Sequence, residues 1–443
     1  MSRKLCATNL LLVTALVLMV CLLIFLPTIS TDAYAQLEAK KTRARSDVVL
    51  YQTFVDFLYN NLAIILVTSY LLLFTVGVLH RCQMLPHRLE RLISFIFSFE
   101  LSRKHALVVG ILLLSLYIIQ SSAGIQHEES FADYTSSGLK NDIEKFGVSY
   151  FSPDRVVGFS RLVKYTLLSL SLQIFGNVRI VPFLASTAMV VLTHLITKEI
   201  SRKRFAGIIA MVMFVQSSTF RAYDDSAAYD NFSTLFYMLS IYALLKARWW
   251  YASPVLQLLA IFSKAISAVF IPFSMFFAYR TLPRPSLLSA IISYGILFGI
   301  SVAAVLAGAI EGIRPQLGNE TLSRLSYALP KDWQLDDPLV FTFLPPVIAG
   351  LFLLARKGLQ QADAIMLLLA GMLWISFLLT ALTGVTSQLY RLVPLIAFFA
   401  IGAGLMFSRT DGLAKRDRIE THLAILAFSL LIVLANLNSL FLP

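Results

Sequence analysis

The chain has 443 residues, a formal net charge of +12, 58% hydrophobic residues and only 14% charged ones. Its mean hydropathy is +0.75. This composition argues against a soluble enzyme, where about a quarter of residues are charged, and the scatter of basic residues among apolar blocks argues against a nucleic-acid partner.

The apolar residues come in blocks of the length that crosses hydrocarbon, about 20 residues. Thirteen segments are predicted, at 9–28, 61–79, 106–124, 178–197, 205–222, 231–247, 254–263, 266–279, 286–309, 339–355, 363–383, 391–408 and 420–440. The expected fold is therefore an all-α, polytopic helical membrane protein with about 13 transmembrane helices. The seventh and eighth segments are short and divided by Lys264, as a bent hairpin or as broken helices. The first follows Arg3 and Lys4 and precedes Ala33-Tyr34-Ala35, a sequence like a signal cleavage site; its length favours a retained anchor. Cys6, Cys21 and Cys82 form no pair in an outer loop, so no structural disulfide is expected.

With the N-terminus inside, the inner loops hold 21 Lys/Arg against 7 Asp/Glu, and the outer side holds 16 against 18. Lys and Arg collect on the cytoplasmic side, so this bias sets the expected orientation. Lys40, Lys41, Arg43 and Arg45 run against it. Two outer connections are long, 122–177 and 310–338. Within the first, Phe159 to Phe175 reads as an amphipathic helix lying at the interface. The alternative, an extra span, would invert everything downstream and move the Lys198–Arg204 cluster outside.

The acidic residues gather at two outer places. In "FRAYDDSAAYDNF", Asp224, Asp225 and Asp230 fall within seven residues, beside Arg221. A charge at a helix end near the bilayer is costly unless solvated or paired, which makes it a functional candidate. Asp230 also suits a plain N-terminal position, where the helix dipole favours a carboxylate. The second group, Glu128, Glu129 and Asp133, follows the third span and also fits a solvated loop.

The order of several motifs resembles the GT-C superfamily of membrane glycosyltransferases, which includes protein O-mannosyltransferases, lipid A aminoarabinose transferases and oligosaccharyltransferase catalytic subunits. The pattern is an acidic residue early in a long first outer loop, then an interfacial helix ending as Gln173-Ile174-Phe175-Gly176 with Arg179 beyond. A basic inner turn follows at Lys198–Phe205, then Phe220-Arg221, Asp230 and a run to Tyr242. Lys264 between half-spans and Tyr390-Arg391 opening a late span complete it. The likeness covers roughly residues 104–410. Residues 1–103, with two additional spans and a basic inner loop, and residues 411–443, with a final span, lie outside it. Phe232 stands where a "DNE" motif has Glu, and no "WWDYG" motif occurs; Trp249-Trp250 falls on the inner side. Asp133-Tyr134 stands where the family often has "DE" and a later Tyr.

The resemblance implies transfer of a sugar from a polyprenyl-phosphate donor to a hydroxyl of a protein, lipid or glycan acceptor, at the outer or lumenal face. Asp133 is the expected general base, with Glu129 the second choice, and Asp230 an acceptor-orienting acid. Arg391, Lys264 and Arg221 are the expected phosphate-side cations. Arg391 also suits a snorkelling role, and Lys264 an ion pair. No cofactor is required; a divalent Mg or Mn would find oxygen ligands at Asp133 with Asp224, Asp225 or Asp230. A transporter or flippase and an inactive subunit of a membrane complex are the rival expectations. Asn231-Phe232-Ser233 and Asn319-Glu320-Thr321 match the glycosylation sequon. No nucleotide-binding loop, zinc pattern or Ser-His-Asp arrangement is present.

Overall fold

The computed structural model describes residues 86–125, 143, 162–227, 231–306, 338–383 and 389–409. The predicted segments 9–28, 61–79 and 420–440, the three cysteines and most of both long outer connections lie outside the described residues.

All regular structure among the described residues is helical. The α-helices are α1 (His87–Ser98), α2 (Arg103–Ile125), α3 (Leu162–Phe175), α4 (Ile180–Ser201), α5 (Arg204–Val215), α6 (Ser218–Tyr223) and α7 (Asn231–Leu245). They continue as α8 (Ala252–Ser263), α9 (Ile271–Thr281), α10 (Arg284–Leu306), α11 (Pro338–Arg356), α12 (Gln360–Thr383) and α13 (Val393–Leu405). Short 3-10 turns occupy Ala247–Trp249, Ala265–Phe270 and Leu389–Leu392.

Among the described residues, three helices are long and apolar enough to cross a membrane, within Arg103–Ser122, Ile180–Ser201 and Arg284–Ala303. Leu288, Ile292, Ile296 and Ile300 make a stripe of more than half-exposed apolar residues along α10, one per turn. Such a stripe is unfavourable against water and natural against lipid. Leu107, Ile111 and Ile119 do the same on α2.

The interior is held by close backbone approach. A Cβ on Gly404 of α13 would come within 2.7 Å of the Ala206 carbonyl oxygen of α5 and 2.7 Å of Thr197 Cγ2 of α4. A Cβ on Gly207 would lie 2.8 Å from the His194 carbonyl oxygen. Small residues at a helix crossing maximise van der Waals contact, which matters most where lipid removes the hydrophobic driving force. Around this crossing Phe398, Phe399, Phe214 and Met213 are fully buried.

Among the described residues, the bundle has two breaks, one inside a predicted span and one between two short ones. The segment 205–222 is α5 and α6, parted at Gln216–Ser217. Ser217 is extended (φ −65°, ψ 121°), and its Oγ accepts a hydrogen bond from Phe220 N at 3.1 Å, an N-cap that starts α6 anew. The second break is at Lys264, as expected. Lys264 is extended (φ −159°, ψ 117°), and a 3-10 turn leads into α9. Gln257 of α8 bridges the bend, donating to Ser267 O at 2.8 Å and accepting from Ser274 Oγ at 3.1 Å.

The expectation of an amphipathic helix at 159–175 needs correction. A helix is there, α3, but it is apolar around its circumference: Tyr165 and Leu168 are buried while Leu170, Ile174 and Phe175 are exposed. Its 14 residues reach only about 21 Å, short of a bilayer core of about 30 Å. Conversely, residues 87–98, read as part of a basic loop, form α1.

Ion pairs and loop contacts gather at two sets of helix ends. At one end Lys246 pairs with Glu199 at 2.6 Å, Arg204 with Glu100 at 3.8 Å and Arg280 with Asp363 at 2.6 Å, the last pair buried. Arg409 N donates to Ser201 O at 3.1 Å. At the other end Asn177 Nδ2 donates to Ile125 O at 2.9 Å and Arg179 meets Asp225. Each contact joins residues that the charge count groups on the same side.

Gly404→Ala should cost about 1–3 kcal/mol through overpacking and lower the unfolding temperature in detergent. Gly295→Ala, where nothing lies within 4 Å of an added Cβ, should leave that temperature unchanged or raise it, since alanine favours helix.

Candidate functional site

The corner between α3 and α4 is built from local backbone chemistry. Gly176 has φ +68°, a left-handed conformation that glycine adopts freely, and its N–H donates to Leu172 O at 2.9 Å to close α3. Ser171 Oγ donates to Asn177 O at 2.6 Å and accepts from Val181 N at 3.1 Å. Asn177 Oδ1 accepts from Arg179 N at 2.9 Å, while its amide reaches the end of α2. Arg179 is thereby fixed at the head of α4.

Its guanidinium Nη2 meets Asp225 Oδ1 at 2.6 Å, with both side chains more than nine-tenths buried. Asp225 lies in the turn after α6, so this pair ties the turn to the α3–α4 corner. Ser186 Oγ of α4 donates to Asp224 O at 2.5 Å. Asn231, at the head of α7, donates from Nδ2 to Tyr223 O at 2.9 Å and Asp224 O at 3.1 Å. The turn is clamped from both sides through its backbone.

The clamp drives the Asp224 side chain inward, leaving it 3% exposed. Tyr117 and Ser121 of α2 face it, and Arg221 stands nearby on α6. The Tyr117 ring stacks against Phe183 at 5.9 Å and Phe220 at 5.8 Å, so its hydroxyl is held at the carboxylate. Tyr117 Oη and Asp224 Oδ2 stop short of full hydrogen-bond geometry. Burial, and then the charge of Asp225, push Asp224 up from the ordinary 3.8 to about 7. Ser121, Tyr117 and Arg221 pull it down, but by less. A carboxyl poised near neutrality can hold or release a proton at physiological pH.

The basic candidates divide. Arg221, in the last turn of α6, is half-buried. The 3-10 turn Leu389–Leu392, which carries Arg391, packs against α6 and α13. Arg391 is half-buried, and its Nη1 is sealed from solvent with no hydrogen-bond partner among the described residues. Lys264 follows the end of α8, which packs on α7 and α3. Asp133, Glu129 and Asp230 lie outside the described residues.

Asp225 departs from the expectation of an available metal ligand, because one of its oxygens is committed to Arg179. Asn231 departs from the sequon reading, since its amide nitrogen is buried and donates to two carbonyls. Sequence reasoning missed Tyr117, Ser121 and the partnership of Arg179. The one available signal for the last was Arg179 itself, a cation closely following the end of α3.

Asp224 makes stability depend on pH with a definite sign. Its folded pKa, about 7, exceeds the ordinary 3.8. Between those values the folded chain keeps a proton that the unfolded chain releases. Stability should therefore be highest at acid pH, fall as pH rises to about 7, and then level, by on the order of 4 kcal/mol. Asp224→Asn should flatten this dependence in thermal unfolding measured from pH 5 to 8. Arg179→Ala should cost about 3–5 kcal/mol by leaving Asp225 buried without its cation, whereas Arg179→Met with Asp225→Leu should recover most of it.

No family model, curated protein or solved structure matches the chain.

Proposed function

We propose that the chain is a multi-pass membrane glycosyltransferase of the GT-C type. It moves a sugar from a polyprenyl-phosphate carrier to a hydroxyl of a protein, lipid or glycan. Its site faces the non-cytoplasmic side of the cell membrane, or of the endoplasmic reticulum in a eukaryote. The observation that carries the reading is a proton-holding carboxyl, Asp224, at the end of α6, a helix that bears Arg221 and packs against the Leu389–Leu392 turn that bears Arg391.

The chemistry asks for those parts. The leaving carrier phosphate needs cations. A guanidinium N–H sealed from water without a partner, as at Arg391, is costly until an anion satisfies it. Arg221 supplies a second charge on the touching helix, and Lys264 would meet the donor from the α8 side. The acceptor hydroxyl must lose a proton, and Asp133 is the proposed base, with Glu129 its alternate. Asp230, which directly precedes the clamped Asn231 in sequence, orients the acceptor. Asp224 holds the proton balance of the proposed site. The proposed reaction uses no metal; Asp225, with Oδ1 held by Arg179, keeps only its other oxygen to offer one.

The break at Lys264 supports a second reading, since transporters place their sites at discontinuous helices. One assay separates the two. Full-length protein in nanodiscs is given synthetic polyprenyl-phosphate sugars and a panel of hydroxyl acceptors. Transfer should occur, should persist in EDTA, and should fall at least about 100-fold in Asp133→Asn. Arg391→Ala should raise KM for the donor. Undiminished turnover in Asp133→Asn would remove that residue as base. Movement of the donor between leaflets of proteoliposomes, with no transfer, would favour transport.

A further inference from the structure

The helix α1 has no part in the proposed site, yet its placement is tightly specified. Lys203 Nζ donates to Phe97 O at 2.5 Å, and Arg204 Nη1 donates to Leu101 O at 3.1 Å. Phe97 meets Phe407 at 5.7 Å, and Phe99 meets Phe205 at 5.0 Å edge-on. Ile96 and Phe97 pack against the main core. The C-terminal end of α1 is therefore pinned where α4 turns into α5.

That level is also where α2 begins. Only four residues separate α1 from α2, whose apolar stretch starts at Arg103. A link of four residues spans at most about 14 Å, so α1 cannot stand far from the boundary that α2 enters.

The opposite face is of another kind. Arg88, Arg91 and Phe95 are three and then four residues apart, so they share one helical face. All three are exposed, Phe95 by 60%. Arg103 and Lys104 are exposed at the start of α2. Glu90 and Glu100 are the acidic residues of the same stretch, leaving it net positive. An exposed phenylalanine in line with arginines suits a surface where phosphate lies beside hydrocarbon, and it suits water poorly.

We propose that α1 is an in-plane helix whose Arg88–Arg91–Phe95 face binds anionic phospholipid headgroups of the leaflet at the Lys246–Glu199 end of the bundle. The arginines meet the phosphates, and Phe95 enters the acyl boundary. The inference rests on the membrane reading above and on no part of the catalytic one.

The test uses the full chain with Cys6, Cys21 and Cys82 changed to Ser, and with Phe95→Cys carrying a bimane fluorophore. It is placed in nanodiscs of phosphatidylcholine and phosphatidylglycerol. Bromine quencher is carried on one lipid or on the other at identical composition, so the quenching ratio reads the local enrichment of anionic lipid. Enrichment is expected, up to about thirtyfold for two arginines, falling to near unity in Arg88→Gln/Arg91→Gln. An equal ratio for both lipids would overturn the proposal. So would an enrichment that survives the double substitution, or dominant quenching by water-soluble acrylamide. The double variant keeps the contacts of Lys203 and Arg204, and an unchanged unfolding temperature confirms its fold. A variant that unfolds overturns a headgroup role in favour of a structural one. Failure of the native chain to enter nanodiscs would sink the membrane reading itself, a result distinct from an equal ratio.

Discussion

The buried pair of Arg179 and Asp225 is the constraint on which the candidate site depends. A charge in a low-dielectric interior is tolerated only with its partner, so the two must be delivered together from segments 46 residues apart. Delivery requires the glycine-ended α3, the Asn177 corner, the N-capped α6 and the clamp by Ser186 and Asn231. Once the pair is made, its neighbour has nowhere to go but inward. Asp224 sits beside the negative charge of Asp225 and away from water, and both effects favour its protonated form. A structural ion pair thus sets the acidity of a carboxyl that is not part of it.

The rest of the bundle supplies rigidity by other means. Gly207 and Gly404 let three backbones approach within contact of one another, a mode of association suited to an apolar surrounding. Breaks are used sparingly. The one at Ser217 lets α6 depart from the course of α5 and meet the turn bearing Arg391. The one at Lys264 folds α8 back through a 3-10 turn into α9, with Gln257 and Ser274 supplying hydrogen bonds at the bend. Both breaks fall where polar side chains interrupt an apolar run and can serve the backbone groups that the helix gives up.

Much of the helical plan was legible in the chain. The segment predicted at 286–309 is Arg284–Leu306, that at 339–355 is Pro338–Arg356, and the interruption at Lys264 falls as read. Apolar run length is a local signal. The break at Ser217 was hidden because four polar residues, Gln216 to Thr219, inside an apolar stretch resemble the polar positions of any packed helix. The helix α1 was hidden because Arg88 and Arg91 in its first half, with Arg103 and Lys104 beyond the link that follows, mimic a basic loop, although its positions repeat with helical spacing. The site was less legible. Asp224 and Asp225 are adjacent and chemically identical, and only tertiary contacts with Arg179 and Tyr117 assign one to an ion pair and the other to a proton. The position of Arg391 near α6 depends on how α13 packs, which no local pattern encodes.

Asn231 carries a consequence of a different sort. Its side-chain nitrogen, the atom a glycan would occupy, is buried and spent on Tyr223 O and Asp224 O. The sequon is therefore readable only before the turn closes on α7. A sugar found there would date itself to that interval, and it would bar closure afterwards by removing a donor from the clamp. Occupancy at Asn231 would then be a record of chains that never matured, written in the polymer by whichever machinery met them first.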